Sequence, residues 1–157
     1  MKKQELNTYE QVKEKTLRLL EFRSHAEGEL KMKLRRLGAK EEHIEEAIAF
    51  CKEYGFVNDE DYAFRKAKDL YNLKKYGSHR IMQELRAKGI ASHIAEAAIS
   101  EIEFKEDELR PLIEKKLKGD FDKKNIDRCI RYFIYRGYDF AKIKQCIEEI
   151  KGEADDL

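Results

Sequence analysis

A single register constrains this chain more than any other feature. A large apolar residue stands four positions before a glycine three times, at Leu34/Gly38, Leu85/Gly89 and Phe133/Gly137, so the pattern returns at a spacing of roughly 50 residues. After the glycine the first and third copies agree again, with Ile44 and Ile48 standing six and ten residues on, as do Ile143 and Ile147. The middle copy is one residue shorter, with Ile94 and Ala98 in those places. One helical hairpin ending in glycine is commonplace, but three in register point to tandem copies of one supersecondary unit. Such units bury their apolar faces on themselves and their neighbours and form an elongated array.

The units read as helical. Leu30, Leu34 and Leu37 recur at i, i+4, i+7, and Ile126, Cys129, Ile130 and Phe133 fill i, i+3, i+4, i+7; no stretch alternates with period two. Thr8 with Gln11 and Ser24 with Glu27 have capping-box spacing, and Asn58 with Asp61 is a similar start. Gly38, Gly55, Gly89, Gly119 and Gly137 each close a helix-period segment. These signals predict helices near 8–22, 24–37, 41–54, 59–75, 78–88, 92–103, 107–118, 122–136 and 139–151. The expectation is an all-α fold of three tandem three-helix repeats, over 1–57, 58–104 and 105–157, in an elongated, curved array. Composition agrees, since Ala, Glu, Lys, Leu and Arg supply 82 of the 157 residues while Val and Thr supply two each and Pro one.

Several function classes fall away. There is no phosphate-binding GxxxxGK loop, no GxGxxG, no HExxH and no GxSxG. His25, His43, His79 and His93 are scattered and read as surface or boundary residues. Cys51, Cys129 and Cys146 lie on apolar stripes and read as packing residues, and three cysteines without a CxxC fit a reducing compartment. Asn58 to Asp61 reads as a helix start with carboxylates at the positive dipole end, because Ala63 and Phe64 stand where a calcium loop needs glycine and further oxygens. The eight Tyr and eight Phe read mostly as core. Met1-Lys2-Lys3 resembles the start of a signal peptide, but Gln4, Glu5, Asn7 and Glu10 follow where an apolar segment belongs. The apolar runs are far too short for a membrane span of roughly 20 residues. We therefore expect a cytoplasmic monomer with no membrane association, no cofactor, no metal and no catalytic group.

Charge is the one feature that points outward. The formal net charge is only +1, yet Tyr62 to Ser92 carries eight basic and two acidic side chains, whereas residues 101–157 carry 13 and 15. On the fourth predicted helix Arg65, Lys68, Asn72 and Lys75 share one face, and Ala63, Ala67 and Leu70 another. Lys74, Lys75, Tyr76 and Arg80 then lead into the next helix, where Arg86 and Lys88 continue the charge. These eight residues, Arg65, Lys68, Lys74, Lys75, Tyr76, Arg80, Arg86 and Lys88, are the candidate contacts. The stretch suits phosphates or an acidic protein surface, and a solvated face balanced by acidic helices elsewhere fits as well.

Four segments together resemble the RecX regulatory family. Arg23-Ser24-His25-Ala26-Glu27-Gly28-Glu29-Leu30 with Lys33-Leu34 and Gly38 resembles its opening RS-x-x-EL-x-x-KL motif, and Tyr54-Gly55-Phe56-Val57-Asn58-Asp59 resembles its G-Y-L-D-D turn. Lys75-Tyr76-Gly77, Arg80-Ile81, Glu84-Leu85 and Lys88-Gly89-Ile90 are similar to its K-G-x-x-x-I-x-x-EL-x-x-KGI segment. Tyr132-Phe133-Ile134-Tyr135-Arg136-Gly137-Tyr138 matches its last-repeat F-L-x-x-RG-[FY] signature. Asn58 in place of Asp and one extra residue after Gly38 are departures.

The resemblance implies a stoichiometric regulator that binds the RecA recombinase, above all its DNA filament, and inhibits its ATPase, strand-exchange and coprotease activities without catalysis. It implies a role in DNA repair, homologous recombination and the SOS response, with weak direct DNA binding as a further possibility. Two competing readings stay open at this point. One is a helical module acting directly on nucleic acid, against which stands the lack of a helix concentrating Arg, Asn and Gln as base readers. The other is a scaffold for an unrelated protein.

Overall fold

The computed structural model describes residues 6–156. Among these the chain forms nine α-helices and no strand: α1 (Tyr9–Phe22), α2 (Glu27–Arg36), α3 (Glu41–Glu53), α4 (Asp59–Asn72), α5 (Ser78–Ala87), α6 (Ser92–Ser100), α7 (Leu109–Leu117), α8 (Lys123–Tyr135) and α9 (Phe140–Asp155). A 3-10 turn at Glu106–Glu108 leads into α7. The reading placed on Met1, Lys2 and Lys3 lies outside the described residues. No helix among those described is long and apolar enough to cross a membrane.

The apolar stripes converge on three separate cores. The first joins Val12 of α1 and Leu30 and Leu34 of α2 to Ile44, Ile48 and Cys51 of α3. The second joins Ala63, Ala67 and Leu70 of α4 to Ile81 and Leu85 of α5 and Ala95 and Ala98 of α6. The third joins Ile113 and Leu117 of α7 to Cys129 and Phe133 of α8 and Ile143 and Ile147 of α9. Each registered residue Leu34, Leu85 and Phe133 is buried in its own core. Three small cores leave much surface open: the accessible area is 10745 Å², against roughly 8200 Å² for a compact monomer of this mass.

The helix ends repay comparison with their signals. Thr8 and Gln11 form the expected capping box, and Asn58 Oδ1 accepts from the Asp61 amide at 3.1 Å. Ser24 does not cap α2, a correction to the sequence reading. The helix begins later, at Glu27, whose amide donates to Asp59 Oδ1 at 2.8 Å, so a side chain from the next unit satisfies the orphan donor. Helix α4 ends three residues before its predicted limit: Lys75 takes the left-handed conformation (φ 56°), and the Tyr76 amide bonds back to Leu70 O. Helix α6 also stops early, because Ile102 folds onto the second core. Helix α9 runs past residue 151, since Gly152 is followed by strong helix formers and meets nothing within 4 Å.

The first and second units join through a close backbone approach. A Cβ added at Gly28 would lie 3.0 Å from Gly89 Cα. Gly89 is also held at φ +83°, so two requirements fall on one glycine. Around this pair Glu29, only 7% exposed, receives Arg23 Nη2 at 2.6 Å and Lys88 Nζ at 3.1 Å. Burial would raise the Glu29 carboxyl's pKa, but the bonds from Arg23 and Lys88 outweigh it and hold it at about 2. His25 is buried as well, at 2% exposure, and is therefore neither the surface nor the boundary residue its scattered position suggested. Its Nδ1 meets Arg23 O at 2.8 Å and its Nε2 meets Lys33 Nζ at 2.8 Å. Burial lowers the His25 pKa, so the neutral ring donates through Nδ1 and accepts the Lys33 ammonium through Nε2.

Candidate functional site

The eight candidate residues are divided by the fold among three settings. Lys88 belongs to the first joint, bound to Glu29. Arg65, Lys68, Lys74 and Arg86 are exposed. Arg65 pairs with Asp61 one turn earlier at 2.5 Å, Lys68 lies 4.1 Å from the Phe64 ring centre, and Arg86 Nη1 donates to Ile90 O at 2.8 Å. Lys75, Tyr76 and Arg80 are half-buried in the joint between the second and third units. One expectation needs correction here. Because α4 ends at Asn72, Lys75 leaves the helical face it was expected to share with Arg65 and Lys68. Arg80 is only 18% exposed and bound to Glu84 at 2.9 Å.

The second joint is built on backbone contacts. A Cβ on Gly77 would fall 2.4 Å from Gly137 O, and one on Gly137 would fall 2.3 Å from Arg80 N, so neither position has room for a side chain. The Gly77 amide donates to Arg136 O at 2.8 Å, and His79 N donates to Gly137 O at 3.2 Å. Tyr138 Oη donates to Lys75 O at 2.6 Å, and burial pushes its phenol up to about 12, so it stays a neutral donor. Tyr71 Oη donates to Glu108 at 2.6 Å and accepts from the Lys105 amide at 3.0 Å, which ties the linker ahead of α7 to α4.

Over this joint cations and rings alternate. Lys116 Nζ lies 4.1 Å from the Tyr132 ring centre, and Arg136 lies 5.4 Å from Tyr132 and 5.1 Å from Tyr76. Arg80 in turn lies 5.1 Å from Tyr76 and 4.6 Å from Tyr135. Each contact is within reach of the ring quadrupole. Tyr135 is 69% exposed and Tyr132 39%, so the expectation that tyrosines are mostly core fails for this pair. Beside the ladder is a depression of about 310 Å³, lined by Lys75, Lys115, Lys116, Lys118 and Arg136 together with Leu112, Tyr132 and Phe133.

The third unit's share of this surface, Lys115, Lys116, Lys118, Tyr132, Tyr135 and Arg136, escaped the sequence reading. Its segment is nearly neutral in total, so counting charges along the chain hides a sorting by face. The Tyr132 to Tyr138 motif was the available signal. Among the described residues no group of three or more His, Cys, Asp or Glu could hold a metal ion. Cys51 and Cys129 are buried, and burial raises the pKa of both thiols.

Comparison with known proteins decides the family. A model of the first three-helix domain of RecX matches residues 13–51, and one of the second three-helix domain matches 58–99. The regulatory protein RecX of Vibrio campbellii is 36% identical over 138 residues, covering 86% of this chain and 88% of that protein. The chain belongs to the RecX family. The regulatory protein RecX of Clostridium botulinum is 31% identical over 144 residues, covering 87% of this chain and 67% of its own length. The crystal structure of RecX from Lactobacillus salivarius has the same fold, with a TM-score of 0.74 at 21% identity, and the match covers 91% of this chain and 96% of that one. Both family models describe three-helix domains, in keeping with the first two cores, and two of the four segments that carried the resemblance, 23–38 and 75–90, lie inside the matched ranges.

Proposed function

We propose that this protein is a negative regulator of a RecA-type recombinase, binding the recombinase filament on DNA and inhibiting its ATPase, strand-exchange and coprotease activities by occupancy. The observation that carries this reading is membership of the RecX regulatory family over most of the chain's length. Three helical units over 1–57, 58–104 and 105–157 offer a long surface for a filament, and no motif arranged for bond breaking is needed. The working surface on this reading combines the exposed cations of the second unit with the cationic ladder, and the protein acts as a cytoplasmic monomer. Inhibition should scale with the ratio of this protein to filament-bound recombinase. Titration of recombinase ATPase on single-stranded DNA tests this: inhibition at trace ratios that grows with time and persists after the protein is removed would contradict it.

A second reading, a helical module acting on nucleic acid by itself, draws support from the aromatic and cationic ladder, whose composition suits stacking beside phosphates. The two part in a simple experiment. A direct binder would retard naked DNA as strongly as filament, whereas a filament regulator prefers nucleoprotein.

A further inference from the structure

The geometry points to a binding site for a nucleic-acid backbone phosphate in the depression between the second and third units, held by Lys75, Lys115, Lys116, Lys118 and Arg136, with Tyr132 as the adjacent ring. This inference rests on the regulator reading and deepens it, naming the part of the nucleoprotein this surface meets.

Three observations converge. First, five cations and no carboxylate line the depression, and none of the five is paired with a carboxylate among the described residues. The helices α4, α7 and α8 all end close by, at Asn72, Leu117 and Tyr135. Their C-termini supply about half a negative charge each, so five cations leave an excess of about three and a half. That excess calls for an anion from outside.

Second, the backbone singles out the same place. Among the described residues only two non-glycine residues take positive φ, Lys75 at 56° and Lys118 at 54°, and both line this depression. At five other left-handed positions the chain uses glycine. The left-handed conformation costs a residue with a Cβ about 1–2 kcal/mol. Two lysines held there at that cost suggest that their side chains are used.

Third, the neighbouring chemistry suits nucleic acid better than an isolated anion. Tyr132 and Tyr135 expose ring surface beside guanidinium groups, the composition of a stacking platform next to a phosphate track. An acidic protein segment would use the cations but has no need of the rings.

Replacing both left-handed lysines with glycine provides the test, because glycine suits that backbone and leaves the fold in place. The full chain and the Lys75→Gly/Lys118→Gly variant are compared by fluorescence anisotropy with a labelled 30-nucleotide strand and the matching duplex, from 50 to 200 mM salt, and by inhibition of recombinase ATPase. Lys142→Gln/Lys144→Gln, on exposed positions of α9, removes the same charge elsewhere. The expected result is roughly ten-fold weaker DNA binding at low salt, with the salt slope reduced by one to two, an unchanged helical circular-dichroism signal, and a control within two-fold of the parent. Loss confined to the single strand, or shared with the duplex, identifies which form supplies the phosphate, and either supports the site. The inference is overturned if the parent does not bind DNA at 50 mM salt, if the variant binds as the parent does, or if the control loses as much. It is also overturned if DNA binding survives while inhibition falls, which would assign the depression to an acidic protein surface. A parent that binds DNA through these lysines yet never inhibits the recombinase would instead defeat the regulator reading and leave the phosphate site standing.

Discussion

The two joints of this molecule solve one geometric problem but partner their cations differently. At both, a glycine near the start of a unit's second helix meets the glycine that follows the second helix of the next unit, Gly28 against Gly89 and Gly77 against Gly137. The first joint engages its charged groups internally: Arg23 and Lys88 both close on Glu29, and the neutral His25 accepts Lys33. The second holds its backbone by amide bonds and stacks its arginines on tyrosines, and the lysines and Arg136 along its edge have no carboxylate partner among the described residues. A repeat array can thus use one contact as a pure joint and its equivalent as a joint with a surface left over for binding.

The largest effect is expected where the backbone is closest. Gly137→Ala adds a Cβ at φ +97°, 2.3 Å from Arg80 N, and should separate the third unit from the second. We expect a loss of about 3 kcal/mol, read as a lower Tm and as faster amide exchange concentrated in α7 to α9. Gly28→Ala, with a 3.0 Å contact, should cost less, about 1–2 kcal/mol. Equal losses at the two positions would remove the distinction between a tight second joint and a looser first one.

Acid should act on the first joint before the second. His25 has a lowered pKa in the fold, so its contribution is present above its ordinary value of 6.5 and is lost as pH falls through the folded value. Glu29 is held at about 2 against an ordinary 4.5, so its share persists above 4.5 and is lost on the way down to about 2. Glu29→Gln should cost about 2 kcal/mol at neutral pH, since its partners are partly exposed, and should flatten the stability profile between pH 4.5 and 2. Urea midpoints measured across that range in the parent and the variant check this.

Smaller effects are expected from charge reversals on the second unit. Lys68→Glu combined with Lys75→Glu should reduce filament inhibition several-fold with little change in helical signal, because Lys68 is exposed and Lys75 is half-buried outside any helix. Arg65→Ala should change inhibition least, since Arg65 already pairs with Asp61. Stability by urea midpoint should shift by about 0.5 kcal/mol or less. A larger functional loss from Arg65 than from the lysine pair would move the contact from the second joint to the outer face of α4.

Much of this architecture is legible from one sequence, for a physical reason. Apolar period and terminal glycines are local signals, so Leu34/Gly38, Leu85/Gly89 and Phe133/Gly137 announced three cores before any contact was visible. The joints are not local. Ser24 looked like a cap, but the oxygen for the Glu27 amide comes from Asp59, 32 residues beyond Glu27. Lys75 looked helical by period, but the chain reverses at Tyr76 to meet Tyr138 and Arg136. The family motifs did contain these joints, since Arg23, His25, Glu29, Lys88, Gly89, Tyr76, Gly77, Arg80, Arg136 and Gly137 all fall in the quoted segments. Read as a string they gave a resemblance, and folded they form the joints of the array. The binding surface was half visible: eight cations in thirty residues drew attention to the second unit, while Lys115, Lys116 and Lys118 lay hidden among the carboxylates of a neutral segment.

The most direct test of the account is recombinase ATPase on single-stranded DNA, titrated with the parent, with Glu29→Gln and with Lys75→Gly/Lys118→Gly, at a temperature where all three are folded. The account predicts that the parent inhibits in proportion to its ratio to recombinase, that the first-joint variant inhibits within about two-fold of it, and that the second-joint variant needs roughly ten-fold more protein for the same effect. Loss of inhibition from the first-joint variant with none from the second would contradict the assignment of function to the second joint, and a parent that leaves the ATPase untouched at every ratio would contradict the regulator itself.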